Sequence, residues 1–200
     1  MNLPPRSNVG RIFYPFDYLV TCGEVMIIRT GRGAIKVLHM NKKEIRFEVE
    51  VYGSTDELSE PDASLLEEAR KATANAYAPY SKFLVGAVAS LHNGQRVAGT
   101  NQENASYPVG ICAERVLLST LASQYAGIAI DTIAISYDNR QGESGHPISP
   151  CGICRQSLSE YEERVKNPIR IILSGLKGEV FIISQARHLL PLTFSATDLA

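Results

Sequence analysis

The chain has 200 residues, of which 44% are hydrophobic and 20% are charged, which suits one globular domain of ordinary size. Its 20 lysines and arginines against 21 acidic residues give a formal net charge of -1, so no overall positive charge is available to neutralise a phosphate backbone. No apolar run approaches the roughly 18 residues that span a bilayer, and four cysteines are too few for a disulfide scaffold. We therefore expect a soluble cytoplasmic protein with no nucleic acid and no membrane partner, whose reduced cysteines bind a metal.

The first 39 residues differ in composition from the rest of the chain. They carry five basic and two acidic residues and show no clear hydrophobic period. Pro15, Asp17 and Glu24 break their apolar runs, so the segment does not resemble an export signal, although a basic, acid-poor segment is compatible with an organelle transit peptide. Because Met40 and the residues after it form a natural start, we divide the chain into an extension, residues 1–39, that is dispensable or poorly ordered, and a domain formed by residues 40–200.

The domain begins with a strand and a helix. Apolar residues alternate with charged ones from Ile45 to Val51, which predicts a half-buried strand. Ser59 and Pro61 then provide a typical helix start, and the helix pattern continues until Pro79 ends it.

The remaining patterns predict an α/β sandwich. An Asn-Gly pair at residues 93–94 predicts a hairpin between two strands, residues 83–91 and 96–100. Runs rich in β-branched residues alternate with helical segments, which is the pattern of an α/β fold. The predicted strands are residues 130–137, 169–173 and 180–183, the predicted helices are residues 113–125 and 155–166, and residues 138–149 form a polar surface loop.

Three of the four cysteines form the strongest motif. Cys151 and Cys154 lie three positions apart at a predicted helix start, and Cys112 precedes another helix. Two cysteines at this spacing can direct both sulfurs at one point, and a third thiolate leaves the fourth tetrahedral position open. Because structural zinc sites usually have four protein ligands, three cysteines favour a catalytic zinc that acidifies a bound water.

Two alternatives remain open for this motif. His146 could supply a fourth ligand and close the site, which would make it structural. The Cys-x-x-Cys pair could instead be a redox pair, although that interpretation leaves Cys112 and Glu114 without a role.

Glu114 follows Cys112 by two residues, and residues at this spacing do not share a face inside a helix. At a helix terminus, however, the carboxylate can turn toward a metal-bound water and transfer its proton. Zn²⁺ with three thiolates carries a net charge of -1, which helix N-termini and donors such as Arg115, Arg155 and Gln156 can offset. A solvated helix face is the alternative environment for these three side chains.

Five segments, in order, resemble the small, homotetrameric, three-cysteine members of the cytidine/deoxycytidylate deaminase family. The segments are residues 76–87, 101–108, 112–115, 150–156 and 189–194. The resemblance covers the chain from about residue 45 and implies a three-layer α/β/α sandwich with a mixed five-stranded sheet. It also implies a Zn²⁺ cofactor, a homotetramer, and hydrolytic deamination of the small-molecule nucleosides cytidine and deoxycytidine in pyrimidine salvage.

The resemblance further implies roles for individual residues. The zinc ligands are Cys112, Cys151 and Cys154, Glu114 is the catalytic proton shuttle, Arg115 and Gln156 support the sulfurs, and Phe194 reaches the site of a neighbouring subunit. The substrate-binding residues are Phe83, Asn101, Gln102, Glu103, Asn104, Ala105, Ser106, Tyr107 and Ala113.

The resemblance implies that Phe83 packs on the base and that the Ala113 N–H donates to the base carbonyl. It also implies that Asn101 and Glu103 bind the ribose hydroxyls. There are two alternative functions. One is a deaminase of a blasticidin-type nucleoside antibiotic, against which Asn101 and Glu103 argue. The other is a non-catalytic zinc module, against which Glu114 argues. A polynucleotide deaminase would need a cationic groove with stacking platforms, whereas this near-neutral chain has no tryptophan.

Overall fold

The computed structural model describes residues 41–199 and, before them, the backbone of three strands. These strands are β1 (Phe16–Val20), β2 (Val25–Thr30) and β3 (Ile35–His39), and they form an antiparallel sheet in the order β1-β2-β3. They belong to a compact unit, Met1–Ile45, that is separate from a second unit, Arg46–Ala200. The dispensability of residues 1–39 stays a prediction, and Cys22 lies outside the described residues.

The second unit contains a six-stranded mixed sheet in the order β4-β9-β8-β7-β5-β6. Its strands are β4 (Glu50–Tyr52), β5 (Phe83–Leu91), β6 (Arg96–Thr100), β7 (Ile130–Asn139), β8 (Arg170–Ser174) and β9 (Val180–Ile183). Its α-helices are α1 (Glu60–Ala72), α2 (Ala113–Gln124) and α3 (Gly152–Val165), and its 3₁₀ turns are Thr55–Glu57, Thr73–Asn75, Tyr107–Val109, Ala186–Leu189 and Ala196–Leu199. Strands β7 and β8 are parallel, and the other described neighbours in this sheet are antiparallel.

Alternate residues of the central strands face opposite helical layers. Ala89 and Ile135 belong to the buried cluster that contains side chains of α2 and α3, whereas Val88 and Ala134 belong to the cluster that contains Leu66 of α1. Because side chains alternate between the two faces of a strand, α1 covers one face of the sheet and α2 and α3 cover the other. The predicted three-layer α/β/α sandwich is confirmed.

The sheet has six strands rather than the five expected from the resemblance, and the additional edge strand is shorter than its sequence pattern predicts. Ile45, Phe47 and Val49 lie outside β4 and are 49%, 44% and 38% exposed. The reason is the length of the partner strand, since β9 has four residues and β4 pairs with Val180–Ile182. Continuing this register would place Val49 opposite Ile183, the last residue of β9, so the residues before Val49 lie beyond the end of the partner strand.

Helix α1 begins as predicted and ends earlier. The Ser59 hydroxyl accepts a hydrogen bond from the Asp62 N–H at 3.4 Å, a typical N-cap. The α-helix ends at Ala72 and continues only as the 3₁₀ turn Thr73–Asn75, because the Thr73 hydroxyl donates to the Arg70 carbonyl at 2.7 Å and Ala76 is extended. The predicted end at Pro79 is therefore wrong by several residues.

Gly99 of β6 fixes the position of α2. A Cβ at this residue would lie 2.5 Å from the Leu117 nitrogen and 2.6 Å from the Ala113 carbonyl oxygen. Only glycine allows the helix backbone to approach the strand this closely. Within the described residues, no helix has the length and apolar character that crossing a membrane requires.

Asp62 links α1 to the sheet. Both terminal nitrogens of Arg170 in β8 donate to its carboxylate, at 2.5 and 2.8 Å. The hydrogen bond from Arg170 holds the pKa of Asp62 below its usual value, against the opposing effect of burial. The bidentate geometry makes this pair stronger than an ordinary surface ion pair.

We predict that Asp62→Asn lowers the free energy of unfolding by about 1 kcal/mol at pH 7, a value reduced for the partial exposure of the pair. A carboxyl with a lowered folded-state pKa stabilises above its unfolded pKa of about 4, and this contribution is lost as the pH falls through its folded value. Urea denaturation of both proteins at each pH should therefore show the difference shrinking below pH 4. Glu67→Gln, which removes an exposed carboxylate on the same helix, is the control. A difference that is constant with pH would contradict the prediction.

Candidate metal centre and active-site cavity

Three cysteine sulfurs converge where two helices begin. Cys112 is the N-cap of α2, Cys151 is the N-cap of α3, and Cys154 lies in the first turn of α3. The Sγ atoms of Cys112 and Cys151 are 3.8 Å apart, those of Cys151 and Cys154 are 3.5 Å apart, and all three lie within 4.8 Å of one another. Helix α3 begins at Gly152, three residues before its predicted start, which brings both of its cysteines to the helix terminus.

This arrangement stabilises thiolate. A hydrogen bond from the Cys154 thiol is the main effect that lowers the pKa of Cys112, to about 6, and Cys151 and the charge of Arg115 make smaller contributions. Burial and the charge of Glu114 act in the opposite direction. The same interaction with Cys112, together with burial, raises the pKa of Cys154. The N-termini of both helices add partial positive charge at the sulfurs. The cluster therefore holds negative charge that a cation can neutralise.

The donor set fits Zn²⁺ with three protein ligands. Three thiolates within one small sphere match the sulfur preference and tetrahedral geometry of zinc. His146, the possible fourth ligand, is engaged elsewhere, since its Nδ1 lies 3.3 Å from the Tyr137 hydroxyl. A redox pair needs only two sulfurs, whereas the structure brings Cys112 into the same cluster. Zinc is the cofactor of this protein, and it would be held with one coordination position open.

A cavity of about 500 Å³ opens beside the cysteines. It is lined by residues predicted to form the site, namely Phe83, Asn101, Gln102, Glu103, Tyr107, Cys112, Glu114 and Cys151. It is also lined by residues that the sequence analysis did not assign to it, namely Ser81, Val85, Gly110, Ile111, Ile135, Ile148, Ser149 and Pro150. Only Val85 and Ile135 of this second group lie in predicted strands, and the others lie in loops, so no local pattern indicated that these residues face a cavity.

Four predicted substrate-binding residues are not among those that line the cavity. Asn104, Ala105 and Ser106 are exposed on the loop before the turn Tyr107–Val109, and Ala113 is fully buried at the start of α2. The Asn104 side chain accepts a hydrogen bond from the Ser106 N–H at 2.9 Å and so shapes the loop. Substrate contacts by these four residues stay predictions.

Glu114 lies in the first turn of α2 and is 5% exposed. Its side chain lines the cavity together with Cys112 and Cys151. Burial raises the pKa of Glu114, against smaller opposing effects of hydrogen bonds from its own backbone and from Cys154. A carboxyl group with a raised pKa can both accept and return a proton near neutral pH, as a proton shuttle requires.

Asn101 and Glu103 form the polar wall of the cavity. The Asn101 side chain accepts from the Val85 N–H at 2.7 Å and donates to the Phe83 carbonyl at 2.9 Å, which fixes its amide plane against β5. Glu103 Oε2 accepts from the N–H groups of Tyr80 and Ser81 at 2.9 and 3.3 Å. Burial would raise the pKa of Glu103, but these bonds and the Ser81 hydroxyl lower it overall, so the carboxylate is ionised at neutral pH.

Aromatic rings occupy two positions at the cavity. Phe83 stacks on the buried Tyr137 with ring centroids 4.9 Å apart and an interplanar angle of 13°. Tyr107 is 76% exposed and meets Tyr80 edge to face at 5.9 Å. The first pair contains the buried Tyr137 and backs the cavity, whereas the second pair lies open to solvent.

The loop between β7 and α3 is anchored tightly. The Ser144 hydroxyl accepts from the Asn139 N–H at 2.8 Å, and a Cβ at Gly175 would lie 2.1 Å from the Ser144 carbonyl oxygen. The end of this loop carries Ile148 and Ser149 into the cavity wall. The predicted surface loop is therefore a fixed part of the site.

Arg155 and Gln156 do not support the sulfurs in the predicted way. Gln156 donates to the Phe194 carbonyl at 2.8 Å, and Arg155 donates to two main-chain carbonyls. Arg115 acts on the cluster through its charge, and its side chain lies against a second cavity beside Arg164. Phe194 is 58% exposed. The segment that contains Phe194 is thus attached to α3, a contact that local sequence patterns do not encode.

A three-thiolate zinc site beside a buried glutamate, on the helices of an α/β/α sandwich, is the arrangement of zinc-dependent base deaminases. The family model of the cytidine and deoxycytidylate deaminase zinc-binding region matches residues 59–167. The cytidine deaminase of Halalkalibacterium halodurans is 36% identical over 135 residues, which cover 68% of this chain and 95% of that protein. The cytidine deaminase of Sporosarcina psychrophila is 36% identical over 137 residues, which cover 68% and 93%.

Solved structures agree with these matches. The 1.6 Å crystal structure of cytidine deaminase from Burkholderia pseudomallei superposes with a TM-score of 0.57 at 36% identity, covering 68% of this chain and all of that one. The chain belongs to the cytidine and deoxycytidylate deaminase family.

We predict that wild-type protein contains one zinc ion per chain and that Cys154→Ser loses it, because a buried hydroxyl is a much poorer zinc ligand than a thiolate. Metal analysis after gel filtration measures the zinc content. Ser157→Ala, one turn further along α3 and half-buried, is the control and should keep its zinc. Full zinc retention by Cys154→Ser would contradict the assignment of this ligand.

We also predict that Gly175→Ala lowers the free energy of unfolding by about 1 to 3 kcal/mol, because the added methyl group overlaps the Ser144 carbonyl. Hydrogen exchange of residues 139–149 should become faster as the loop is displaced. Gly145→Ala in the same loop is the control, since its Cβ would make ordinary contact with Lys177 at 3.7 Å. Equal exchange rates in the two variants would show that the loop does not depend on Gly175.

Proposed function

We propose that this protein catalyses the zinc-dependent hydrolysis of cytidine and deoxycytidine to uridine and deoxyuridine, with release of ammonia, in pyrimidine salvage. The observation that carries this proposal is the placement of the buried Glu114 carboxyl group in the cavity that also contains Cys112 and Cys151. A purely structural zinc site has no use for a buried, titratable group beside its ligands.

Cys112, Cys151 and Cys154 would hold Zn²⁺, which when bound would acidify a water molecule and so supply the nucleophile. Glu114 accepts a proton as the water oxygen bonds to C4 of the base, and delivers it to ring N3. It then transfers the second proton of that water to the amino group as the C4–N bond breaks. Water adds, ammonia leaves, and the carboxyl group returns to its starting state, so atoms and charge balance.

The raised pKa of Glu114 suits a residue that accepts and returns protons during the reaction. A fully ionised carboxylate at its usual pKa would accept a proton poorly, and a permanently protonated one could not accept at all. Burial raises the pKa of Glu114 above its usual value, which makes the carboxylate a better proton acceptor. The same burial excludes bulk water, which strengthens the interaction of the carboxylate with developing charge on the base.

Asn101 and Glu103 recognise the ribose. Asn101 uses one N–H and one lone pair on β5 and retains a second N–H for a hydroxyl oxygen. Glu103 accepts from the turn at Tyr80 and Ser81, and the two oxygens of a carboxylate offer further lone pairs to a ribose hydroxyl. Because an ionised carboxylate at this position repels a nearby phosphate, the site favours nucleosides over nucleoside monophosphates.

The base lies between the zinc ligands and Phe83. Phe83 is held in place by Tyr137 and offers its ring to the base, and the first N–H of α2, at Ala113, meets the base carbonyl. The apolar walls at Val85, Ile135 and Ile148 fit a flat, neutral heterocycle.

The active enzyme is a homotetramer in which a neighbouring subunit completes each cavity. Two exposed aromatic side chains support this, since Tyr107 at the cavity and Phe194 in the C-terminal segment are 76% and 58% exposed in the single chain. Gln156 donates to the Phe194 carbonyl and so holds the backbone of that segment against α3. The enzyme acts on free nucleosides in the cytoplasm, without a nucleic acid partner.

We predict that Glu114→Gln reduces kcat for cytidine by about 10² to 10⁴-fold, because the amide cannot carry the proton. Loss of absorbance by cytidine measures the rate, and zinc content and gel filtration should match the wild type. Glu143→Gln, which neutralises an exposed carboxylate with 85% of its side chain accessible, should retain full activity. Wild-type turnover by Glu114→Gln would refute the mechanism.

We further predict that cytidine and deoxycytidine are substrates, whereas cytidine 5′-monophosphate reacts at least about tenfold more slowly in kcat/KM. A change of this size corresponds to about 1.4 kcal/mol, a modest charge repulsion in a partly exposed site. Glu103→Gln should reduce the discrimination against the monophosphate. Turnover of a single-stranded oligonucleotide or of blasticidin S without turnover of cytidine would instead favour another deaminase.

A further inference from the structure

Three polar side chains of α3 attach the segment that follows β9 to this helix. Arg155 donates to the Leu189 carbonyl at 3.1 Å, Gln156 donates to the Phe194 carbonyl at 2.8 Å, and Glu162 accepts from the Ala186 N–H at 2.9 Å. None of the three side chains lines the active-site cavity, as far as the described residues go. The partners in these three hydrogen bonds are main-chain groups of that segment.

Arg155 also reaches the zinc-ligand loop. Its Nε donates to the Pro150 carbonyl at 2.8 Å while Nη1 donates to Leu189. The Pro150 carbonyl and the Cys151 nitrogen belong to one planar peptide group, so a hydrogen bond that fixes this oxygen also fixes the plane from which Cys151 extends. One rigid guanidinium therefore joins the Cys151 peptide to the turn Ala186–Leu189.

Glu162 keeps that turn in place. Its carboxylate is fully buried, and Oε2 accepts from the N–H groups of Ile169 and Ala186 at 3.0 and 2.9 Å, while Oε1 pairs with Arg187. A buried carboxylate is tolerated only when its oxygens are bonded in this way. The contacts run without a gap from Glu162 through the turn to the Leu189 carbonyl, then to Arg155 and the Cys151 peptide.

We propose that Arg155 is a positioning residue for the zinc ligand Cys151, and that the turn Ala186–Leu189, held by Glu162, is its anchor. This role rests on the zinc-binding part of the proposed function and not on the identity of the substrate. The guanidinium acts through two hydrogen bonds to carbonyls rather than through contact with sulfur. Its loss lets the Cys151 peptide rotate, which loosens one of the three ligands and speeds the release of zinc.

The test compares zinc release from Arg155→Gln, Arg155→Lys and wild type, measured as transfer to a chromogenic chelator at constant pH. Arg155→Gln should release zinc about tenfold faster or more, in the range found when partners of metal ligands are removed. Arg155→Lys retains the charge but cannot reproduce the planar fork, so its release rate should lie between the other two. Arg164→Gln is the matched control, because this exposed arginine of the same helix packs on the Tyr161 ring at 4.4 Å.

Cobalt-substituted protein gives a second readout that general destabilisation does not move. The ligand-field bands of Co²⁺ should shift in Arg155→Gln and stay unchanged in Arg164→Gln. Wild-type zinc release and an unshifted cobalt spectrum in Arg155→Gln would overturn the proposal, and Arg155→Lys applies the same test if the glutamine variant does not fold.

Glu162→Gln tests the anchor. Because Arg155 and Glu162 act along one path, the double variant Arg155→Lys with Glu162→Gln should release zinc more slowly than the product of the two single effects predicts. A fully multiplicative effect would show that the anchor and the positioning residue are independent. A wild-type protein that binds no zinc would contradict the proposed function itself, which separates that failure from this one.

Discussion

The convergence of two helix N-termini on one group of sulfurs is the constraint on which the rest of the site depends. Thiols this close compete for a shared negative charge, which is why the interaction with Cys154 lowers the pKa of Cys112. The helices can hold this arrangement only because β6 and the loop before α3 fix where each begins. Gly99 allows the close approach of α2 to β6, and a hydrogen bond from Arg155 holds the Pro150 carbonyl at the start of α3. The metal ion neutralises a charge that the fold has already concentrated.

The cavity combines rigid and open parts. Its inner wall is built from β5, β7 and the anchored loop, with Phe83 stacked on Tyr137. Its outer rim carries Tyr107, whose ring is mostly in contact with solvent. This division suits a site that must align a small base against a fixed nucleophile and still exchange substrate and product.

Local sequence patterns predicted much of this structure, because many of its elements are determined by residues that are close together in the sequence. The hairpin strands β5 and β6 have the predicted bounds, and the Asn-Gly turn between them defines where β5 ends and where β6 begins. The clustering of the three cysteines could be predicted because each of them lies next to a helix start. Glu114 could be assigned only from the combined motif, since its spacing from Cys112 does not suggest a shared helix face.

The features that were missed depend on contacts between distant segments. The strand predicted from Ile45 is shortened because its partner β9 is short, a property of another part of the chain. The partners of Arg155 and Gln156 lie more than thirty positions away, so a helix start rich in polar residues was interpreted as support for sulfur. Stacking of Phe83 on Tyr137 likewise follows from the register of β5 and β7.

The two hydrogen bonds of Asn101 to β5 change how kinetic data on this residue should be interpreted. The amide that faces the cavity also bonds to the main chain at Phe83 and Val85, so Asn101 is a structural element in addition to the recognition role proposed for it. Under that proposal, replacing it would move the aromatic ring that backs the cavity and remove a ribose contact in one step. Sugar recognition and base alignment are therefore not separable by mutation at this position, and the sugar is better altered on the substrate than on the protein.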